Sequence, residues 1–499
     1  MARWHNLGEL TDRDRSPDDV AIIDLRTEAP RAWTHRDIDT LANSIAGMLA
    51  TRALPRGTRV AILSLNRAEY IATWFGILRA GLAAVPVNVK LPNETIDFIL
   101  RDCAAELAFV DAAHAPLVAG RLPLVSFDDA DLAAPPGPTV VPEPGEIAHI
   151  LYNSGSTGRP KGVPLSHHGQ LWVFEQMMRN RPANPDPHTR GIVVQPLFHM
   201  NGLYQTASVV ALHTSMVIMP SYAARSYLQA IAGHHVTNIT AVPTMLARAF
   251  KEIDLLEHLD FSAVKLVRVG SAPVTQRLLE QIGRVFANAG VHNGYGTTEG
   301  GAAVFGPHPQ GKPAPLLSVG YPLAAGELRL VDGPDDDEGV LEMRNPAVMA
   351  GYLNLPEATA KVLHHGWYRS GDVFRRDADG FYFFVGRADD MFVCSAENIY
   401  PGEVEKMLER HPAVHQACVV PLPDEERGQI PTAFIVRRAG AALDAAALKQ
   451  FALANAPAYQ HPRRVAFVAD LPWAGTNKID RTALIAEART REAENRWSA

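Results

Sequence analysis

Apolar positions in the first third of the chain recur in two rhythms. Ile38, Leu41, Ile45, Met48 and Leu49 fall three or four residues apart behind Thr34, whose hydroxyl suits an N-cap, so a helix is expected there. Residues 60–65 form a short, mostly apolar run that reads as a buried strand. Helical spacing returns over about 70–82, a strand is expected at 85–87, a further helix at 93–103 and a strand at 107–110. Strands separated by helices of this length imply parallel α/β layers with helices packed on the sheet faces. Residues 133–145, with Pro135, Pro136, Gly137, Pro138, Pro142, Pro144 and Gly145, read as a connector. Over 373–385 two strand-like runs flank Asp377-Ala378-Asp379-Gly380, which suits a tight hairpin turn and lacks the remaining ligand positions of a calcium loop. Beyond it the pattern predicts helix (402–410), strand (416–420), strand (432–436), helix (444–455) and strand (465–468), enough for a small separate α/β domain.

Composition narrows the function classes. The chain has 499 residues, room for about three globular units. Hydrophobic residues are 47% and charged residues 20%, which disfavours a disordered tail or a membrane protein. Lys plus Arg is 47 against 54 Asp plus Glu, a net charge of −7, and no segment gathers the positive charge of a nucleic-acid footprint. Cys103, Cys394 and Cys418 match neither a disulfide framework nor a metal or redox motif, so three reduced thiols are expected. Met1 to Arg15 is charged throughout and lacks the apolar stretch of a signal peptide, and no run approaches 18 apolar residues; the cytoplasm is the expected compartment. Only nine of the basic residues are lysine, which makes the place of each informative.

The densest chemistry lies in Tyr152-Asn153-Ser154-Gly155-Ser156-Thr157-Gly158-Arg159-Pro160-Lys161-Gly162. Glycines allow a tight backbone whose N–H groups can converge on anionic oxygens, hydroxyls add donors, and an ammonium offsets charge: a phosphate-wrapping loop. It is not a Walker A loop, because Pro160 stands where that motif needs its second glycine. These eleven residues resemble the phosphate loop of the adenylate-forming superfamily, which includes acyl- and aryl-CoA synthetases, peptide-synthetase adenylation domains and luciferases. Further matches follow in the family's order: Tyr295-Gly296-Thr297-Thr298-Glu299, Tyr368-Arg369-Ser370-Gly371-Asp372, Gly386-Arg387-Ala388-Asp389 and Asn477-Lys478-Ile479-Asp480-Arg481.

The resemblance implies an α/β fold: a large N-terminal domain of layered sheets and helices (1–388) and a small mobile α/β C-terminal domain (389–499) hinged at Asp389. It implies ATP, Mg²⁺ and coenzyme A as cofactor and co-substrates. Ser154, Gly155, Ser156, Thr157, Gly158 and Lys161 would hold phosphates, and Thr298 would hydrogen-bond the α-phosphate. Glu299 would hold Mg²⁺, a hard cation suited to carboxylate and phosphate ligands. Asp372 would accept both ribose hydroxyls, with Arg387 as a second ribose or phosphate contact. Gly270, Ser271, Ala272 and Pro273, after the run Leu266 to Val269, resemble the strand-end turn that lies over adenine, beside Tyr295, Gly296 and Thr297. Lys478 would clamp the substrate carboxylate and the α-phosphate electrostatically. Its usual preceding residue in the family is glycine; here it is Asn477.

His199, within Phe198-His199-Met200-Asn201-Gly202, resembles the gate of the carboxylate pocket, and Val242, Pro243, Thr244, Asn293 and Gly294 would line its walls. Gly294, Gly300, Gly301 and Ala302 take little volume, which favours an aryl ring or medium acyl chain over acetate. No lone Asp stands ready to pair a substrate amine. Ser395 and Ala396 replace a glycine-rich stretch expected beside the pantetheine tunnel. The leading expectation is an AMP-forming acid–CoA ligase. The alternatives are an adenylating enzyme that loads a carrier-protein thiol, and a catalytically silent nucleotide-binding protein. Two protein partners are further expectations: a second copy in a homodimer, and a protein acetyltransferase acting on Lys478, since Pro472 and Lys478 have the spacing of acetylated-lysine sites in bacterial members.

Overall fold

The helix expected behind Thr34 runs His35–Thr51 and begins with a reciprocal cap: the Asp37 amide donates to Thr34 Oγ1 at 3.1 Å and the Thr34 amide donates to the Asp37 carboxylate at 2.8 Å. The computed structural model describes residues 4–12, 14–128, 132, 134–153, 159–179, 186, 188–302, 304–394, 397–424, 427–473 and 479–498.

Four sheets occur among the described residues. The first follows the predicted strand–helix alternation, in the order Leu124–Ser126, Ala105–Val110, Arg59–Leu63, Ala83–Pro86, Ile147–Asn153, Lys161–Ser166, parallel except for the last pair. Its strand Arg59–Leu63 ends before the apolar run does, because the Asp111 carboxylate captures the Ser64 hydroxyl at 2.8 Å and turns the chain. The helix expected to reach residue 82 is Ala68–Arg79; it stops where Gly81 takes φ 74°, a left-handed position that glycine adopts without strain. The second sheet runs Gly290–Gly294, Leu266–Gly270, Asn238–Ala241, Arg190–Val193, Ser215–Ile218, Val20–Asp24, all parallel, with Arg31–Thr34 antiparallel on the edge.

A third, antiparallel sheet was not part of the sequence expectation. It runs Phe305–Gly306, Ser318–Pro322, Tyr382–Arg387, Trp367–Arg376, Glu338–Arg344, Glu327–Asp335, with Leu363–His364 paired to Trp367–Arg376. Its hairpin at residues 377–380 is the predicted one. Asp377 Oδ1 accepts the Asp379 and Phe381 amides at 3.0 and 2.9 Å and Gly380 has φ 84°, so that carboxylate closes a turn.

The fourth sheet, Glu397–Ile399, Phe392–Cys394, Gly428–Arg437, Val414–Asp424, with Arg464–Val468 parallel to Gly428–Arg437, has its own core, including Val404, Leu408, Cys418, Phe434 and Leu448. The expected helices appear as Pro401–Glu409 and Ala445–Asn455; the hairpin Phe392–Cys394/Glu397–Ile399 and the helix Arg481–Ala493 are additional. All three cysteines are buried and free. No helix among the described residues is long and apolar enough to cross a membrane.

Candidate functional site

Edges of three sheets meet around one run of chain, residues 295–299. It leaves the strand Gly290–Gly294 and closes on itself: the Gly301 amide donates to the Thr297 carbonyl at 2.9 Å, the Thr297 amide to the Gly301 carbonyl at 3.2 Å, and the Gly300 amide to Thr297 Oγ1 at 2.9 Å. Thr298 and Glu299 therefore stand at the tip of a tight loop. Its far side is tied down by the Met349 amide on the Glu299 carbonyl at 2.8 Å and by Asn345 Nδ2 on the Gly300 carbonyl at 3.1 Å.

Glu299 Oε1 accepts from Asn153 Nδ2 at 3.2 Å and from the Tyr352 hydroxyl at 3.0 Å, while Thr298 Oγ1 donates to Asn153 Oδ1 at 3.3 Å. Lys161, register partner of Asn153 across the first sheet's edge hairpin, places Nζ 5.0 Å from the Tyr352 ring centroid. Burial first, then the Glu299 charge, pushes the Tyr352 phenol well above its ordinary value, so it stays a donor. Among the described residues no three His, Cys, Asp or Glu side chains form a metal cage. A single hard carboxylate such as Glu299 fits Mg²⁺ held mainly by the phosphates of a ligand.

At the other end of the run, the Tyr295 hydroxyl donates to Asp372 Oδ2 at 2.5 Å and Arg387 Nη1 donates to Asp372 Oδ1 at 2.9 Å. Asp372 and Arg387 are register partners in the third sheet, and Arg387 also reaches the Ser370 carbonyl at 3.1 Å and Asp389 Oδ2 at 3.3 Å. Burial lifts the Tyr295 phenol far above its usual range, and the Asp372 charge adds to it. Burial works against the Arg387 cation, and Asp372 and Asp389 outweigh it, so the guanidinium is held charged. The two ends form one electrostatic unit: the buried Tyr368 phenol feels both Glu299 and Asp372.

Gly270-Ser271 forms the strand-end turn, with Ser271 at φ 64°; a Cβ at Gly270 would meet the Gly294 carbonyl at 2.6 Å, so glycine is needed for the close approach of the two strands. Pro273 and Ala272 follow in the same turn, outside regular structure. His199 is the N-cap residue of the helix Met200–Leu212, with its ring 4.8 Å from that of Phe198. Thr244 lines a cavity of about 120 Å³ with Lys90, Ser221, Tyr222, Met245 and Arg248. Asn293 Nδ2 donates to the Leu317 carbonyl at 2.9 Å.

Ser154, Gly155, Ser156, Thr157, Gly158, Ser395, Ala396, Asn477 and Lys478 lie outside the described residues. The residues flanking the last stretch, Trp473 and Ile479, pair in an antiparallel bridge, and the Arg248 guanidinium lies 5.3 Å from the Trp473 ring centroid.

Two residues here carry no role readable in the sequence. Asn153 stands in the loop as one polar residue among several, and a tyrosine after a glycine, as at Tyr352, is unremarkable until folding brings it to Glu299.

Residues 11–353 match the model of the AMP-binding enzyme family and residues 403–478 that of the AMP-binding enzyme C-terminal domain. Feruloyl-CoA synthase from Amycolatopsis sp. is 32% identical over 477 residues, covering 93% of this chain and 95% of its own. A 2-succinylbenzoate–CoA ligase from Geobacillus sp. strain WCH70 is 29% identical, covering 94% of each chain. The crystal structure of the anthranilate CoA ligase AuaEII in complex with anthranoyl-AMP superposes with a TM-score of 0.88 at 26% identity, covering 99% of both chains.

Proposed function

The chain belongs to the AMP-binding enzyme family, and from that membership we propose that it is an ATP-dependent, AMP-forming carboxylic acid–CoA ligase acting on an aryl or medium-chain acid. A carboxylate oxygen is a poor leaving group, so the acid must be activated as an acyl-adenylate before a thiol can displace AMP. The observation that carries the reading is the run 295–299, one end of which grips Asp372 while the other grips Asn153 and Tyr352 through Glu299.

In this reading Asp372 accepts the ribose hydroxyls, held in place by its hydrogen bonds from Tyr295 and Arg387. Lys161 and residues 154–158 hold the outer phosphates, and Thr298 donates to the α-phosphate. Glu299 would hold Mg²⁺, which neutralises phosphate charge when bound. His199 gates the carboxylate, and Lys478 stabilises the charge that grows as the acid attacks the α-phosphorus. Asp389 is proposed as the hinge between domains 1–388 and 389–499. Turning about it would break the bond from Lys406 Nζ to the Phe384 carbonyl, 2.8 Å long here, and present the 393–401 loop for the thioester step. Three buried thiols suit a cytoplasmic enzyme.

Acid plus MgATP should release pyrophosphate without CoA, and adding CoA should yield AMP and thioester. Lys478→Ala should slow the first half-reaction by about 10²-fold and largely spare thioester formation from supplied acyl-AMP. Equal loss of both halves would refute the rotation, and consumption of a carrier-protein thiol with no consumption of CoA would favour the carrier-loading alternative.

A further inference from the structure

The strand Leu266–Gly270 alternates: Val267 and Val269 are fully buried in the core with Ile239 and Ala241, so Arg268 projects from the opposite face. In the sheet register Arg268 stands between Thr240 and His292. Its stem runs over Gly294, where a Cβ would sit 3.4 and 3.5 Å from Arg268 Cγ and Cδ. Gly294 pairs with Gly270, so neither register position beside the Arg268 stem carries a side chain.

Arg268 lacks the anion that several other inward arginines have: Arg67 meets Glu69 at 3.0 Å, Arg79 meets Asp39 at 2.7 Å, Arg481 meets Glu405 at 2.8 Å and Arg387 meets Asp372 at 2.9 Å. Arg268 has no hydrogen-bond acceptor and no carboxylate among the described residues, and burial alone pulls its pKa downward. His292 offers no negative charge; burial, then the Arg268 cation, lowers its pKa and keeps the imidazole neutral near pH 7. A half-buried guanidinium without a counter-charge gives up part of its hydration with no ion pair in return, and a docking anion supplies the missing partner. The guanidinium fork suits a carboxylate or sulfonate gripped by two parallel N–H bonds.

Arg268 is two residues, roughly 6–7 Å of strand, from the turn at Gly270-Ser271, and the paired strand leads through Gly294 directly into the 295–299 run. We propose that the acid activated by this protein carries a second anionic group, a carboxylate or sulfonate at the end remote from the reacting carboxylate, and that Arg268 receives it, flanked by Thr240 and His292. This rests on the acid–CoA ligase reading and specifies its substrate class.

Matched acids of equal shape test it by pyrophosphate release: 4-carboxybenzoate and 4-sulfobenzoate against 4-nitrobenzoate, and adipate against its monomethyl ester. The expected result is a kcat/KM at least about tenfold higher for the dianion of a pair, expressed mainly in KM. Arg268→Gln should lower kcat/KM for the dianion to that of its singly charged partner and so abolish the preference, and Arg268→Lys should retain part of it. The lysine variant also guards against misfolding, because its ATP turnover with the singly charged acid reports an intact site. Turnover of the singly charged acids at equal or higher kcat/KM, or a preference unchanged in Arg268→Gln, overturns the inference and leaves the ligase intact. Pyrophosphate release from no acid in the panel overturns the ligase reading itself.

Discussion

Tyr295 shows how one hydroxyl can organise a site. Its bond to Asp372 and the one from Arg387 occupy both carboxylate oxygens, so the acid is aimed by two donors on different elements. A hydrogen bond to a charged group contributes roughly 1.5–3 kcal/mol. Tyr295→Phe removes one of the two and leaves Arg387, so the KM for ATP should rise roughly ten- to a hundredfold with little change in thermal stability. Steady-state kinetics against ATP at saturating acid would check this; an unchanged KM would detach Tyr295 from nucleotide binding. Tyr352 and Asn153 hold Glu299 by the same logic. Neither could be picked out from the sequence, because their importance lies in what they touch across 53 and 146 residues of chain. Glu299, Thr298 and Asp372 stand out in the sequence because they sit inside short motif-like runs, and the structure brings the three around the 295–299 run.

At the scale of elements, the loop 297–301 depends on a missing side chain. A Cβ on Gly300 would lie 2.2 Å from Met343 Sδ, 2.9 Å from Thr297 Oγ1 and 3.0 Å from Tyr368 Cδ1. The methionine could swing aside, but Thr297 Oγ1 is the acceptor that closes the loop. Gly300→Ala should therefore shift Thr298 and Glu299 and lower pyrophosphate release by about tenfold or more, since misplacement of about 1 Å can cost 10²-fold. Kinetics alongside a melting curve would separate this local effect from loss of fold. Local signals such as the Thr34 cap and the Asp377 turn were legible because each is written within a few residues. The third sheet was not, because its register joins segments whose alternation is weak: Glu327–Asp335 has no fully buried position, and its place is set by pairing with Glu338–Arg344.

Across the whole molecule, buried imidazoles in the N-terminal layers bear on stability against acid. Burial lowers His35 to about 4, helped by the charge of His213 stacked 3.9 Å away; it lowers His167 to about 4 and His149 to about 3. His149 lies between the Trp74 and Tyr204 rings with neither ring nitrogen hydrogen-bonded among the described residues. Since the folded values lie below the unfolded value of about 6.5, the unfolded chain binds more protons between pH 6.5 and about 4. Stability is thus fully present above pH 6.5 and is lost as pH falls through this window. The melting temperature should drop steeply from pH 6.5 to pH 4.5, and His149→Leu should make the slope shallower; a flat profile in the parent protein would contradict this assignment.

The amino-acid sequence alone determined the family, through motifs each written within a few residues, and the alternation of strands and helices in layers. Those properties belong to short stretches of backbone and to the side chains they carry. Only the tertiary structure decided which side chains meet: Tyr352 and Asn153 at Glu299, Tyr295 and Arg387 at Asp372, and Arg268 in register between Thr240 and His292 with no carboxylate partner among the described residues. Side-chain partnership and burial arise when sheet registers bring distant segments together, and a linear pattern of polar and apolar positions carries the face of each strand but not its neighbour.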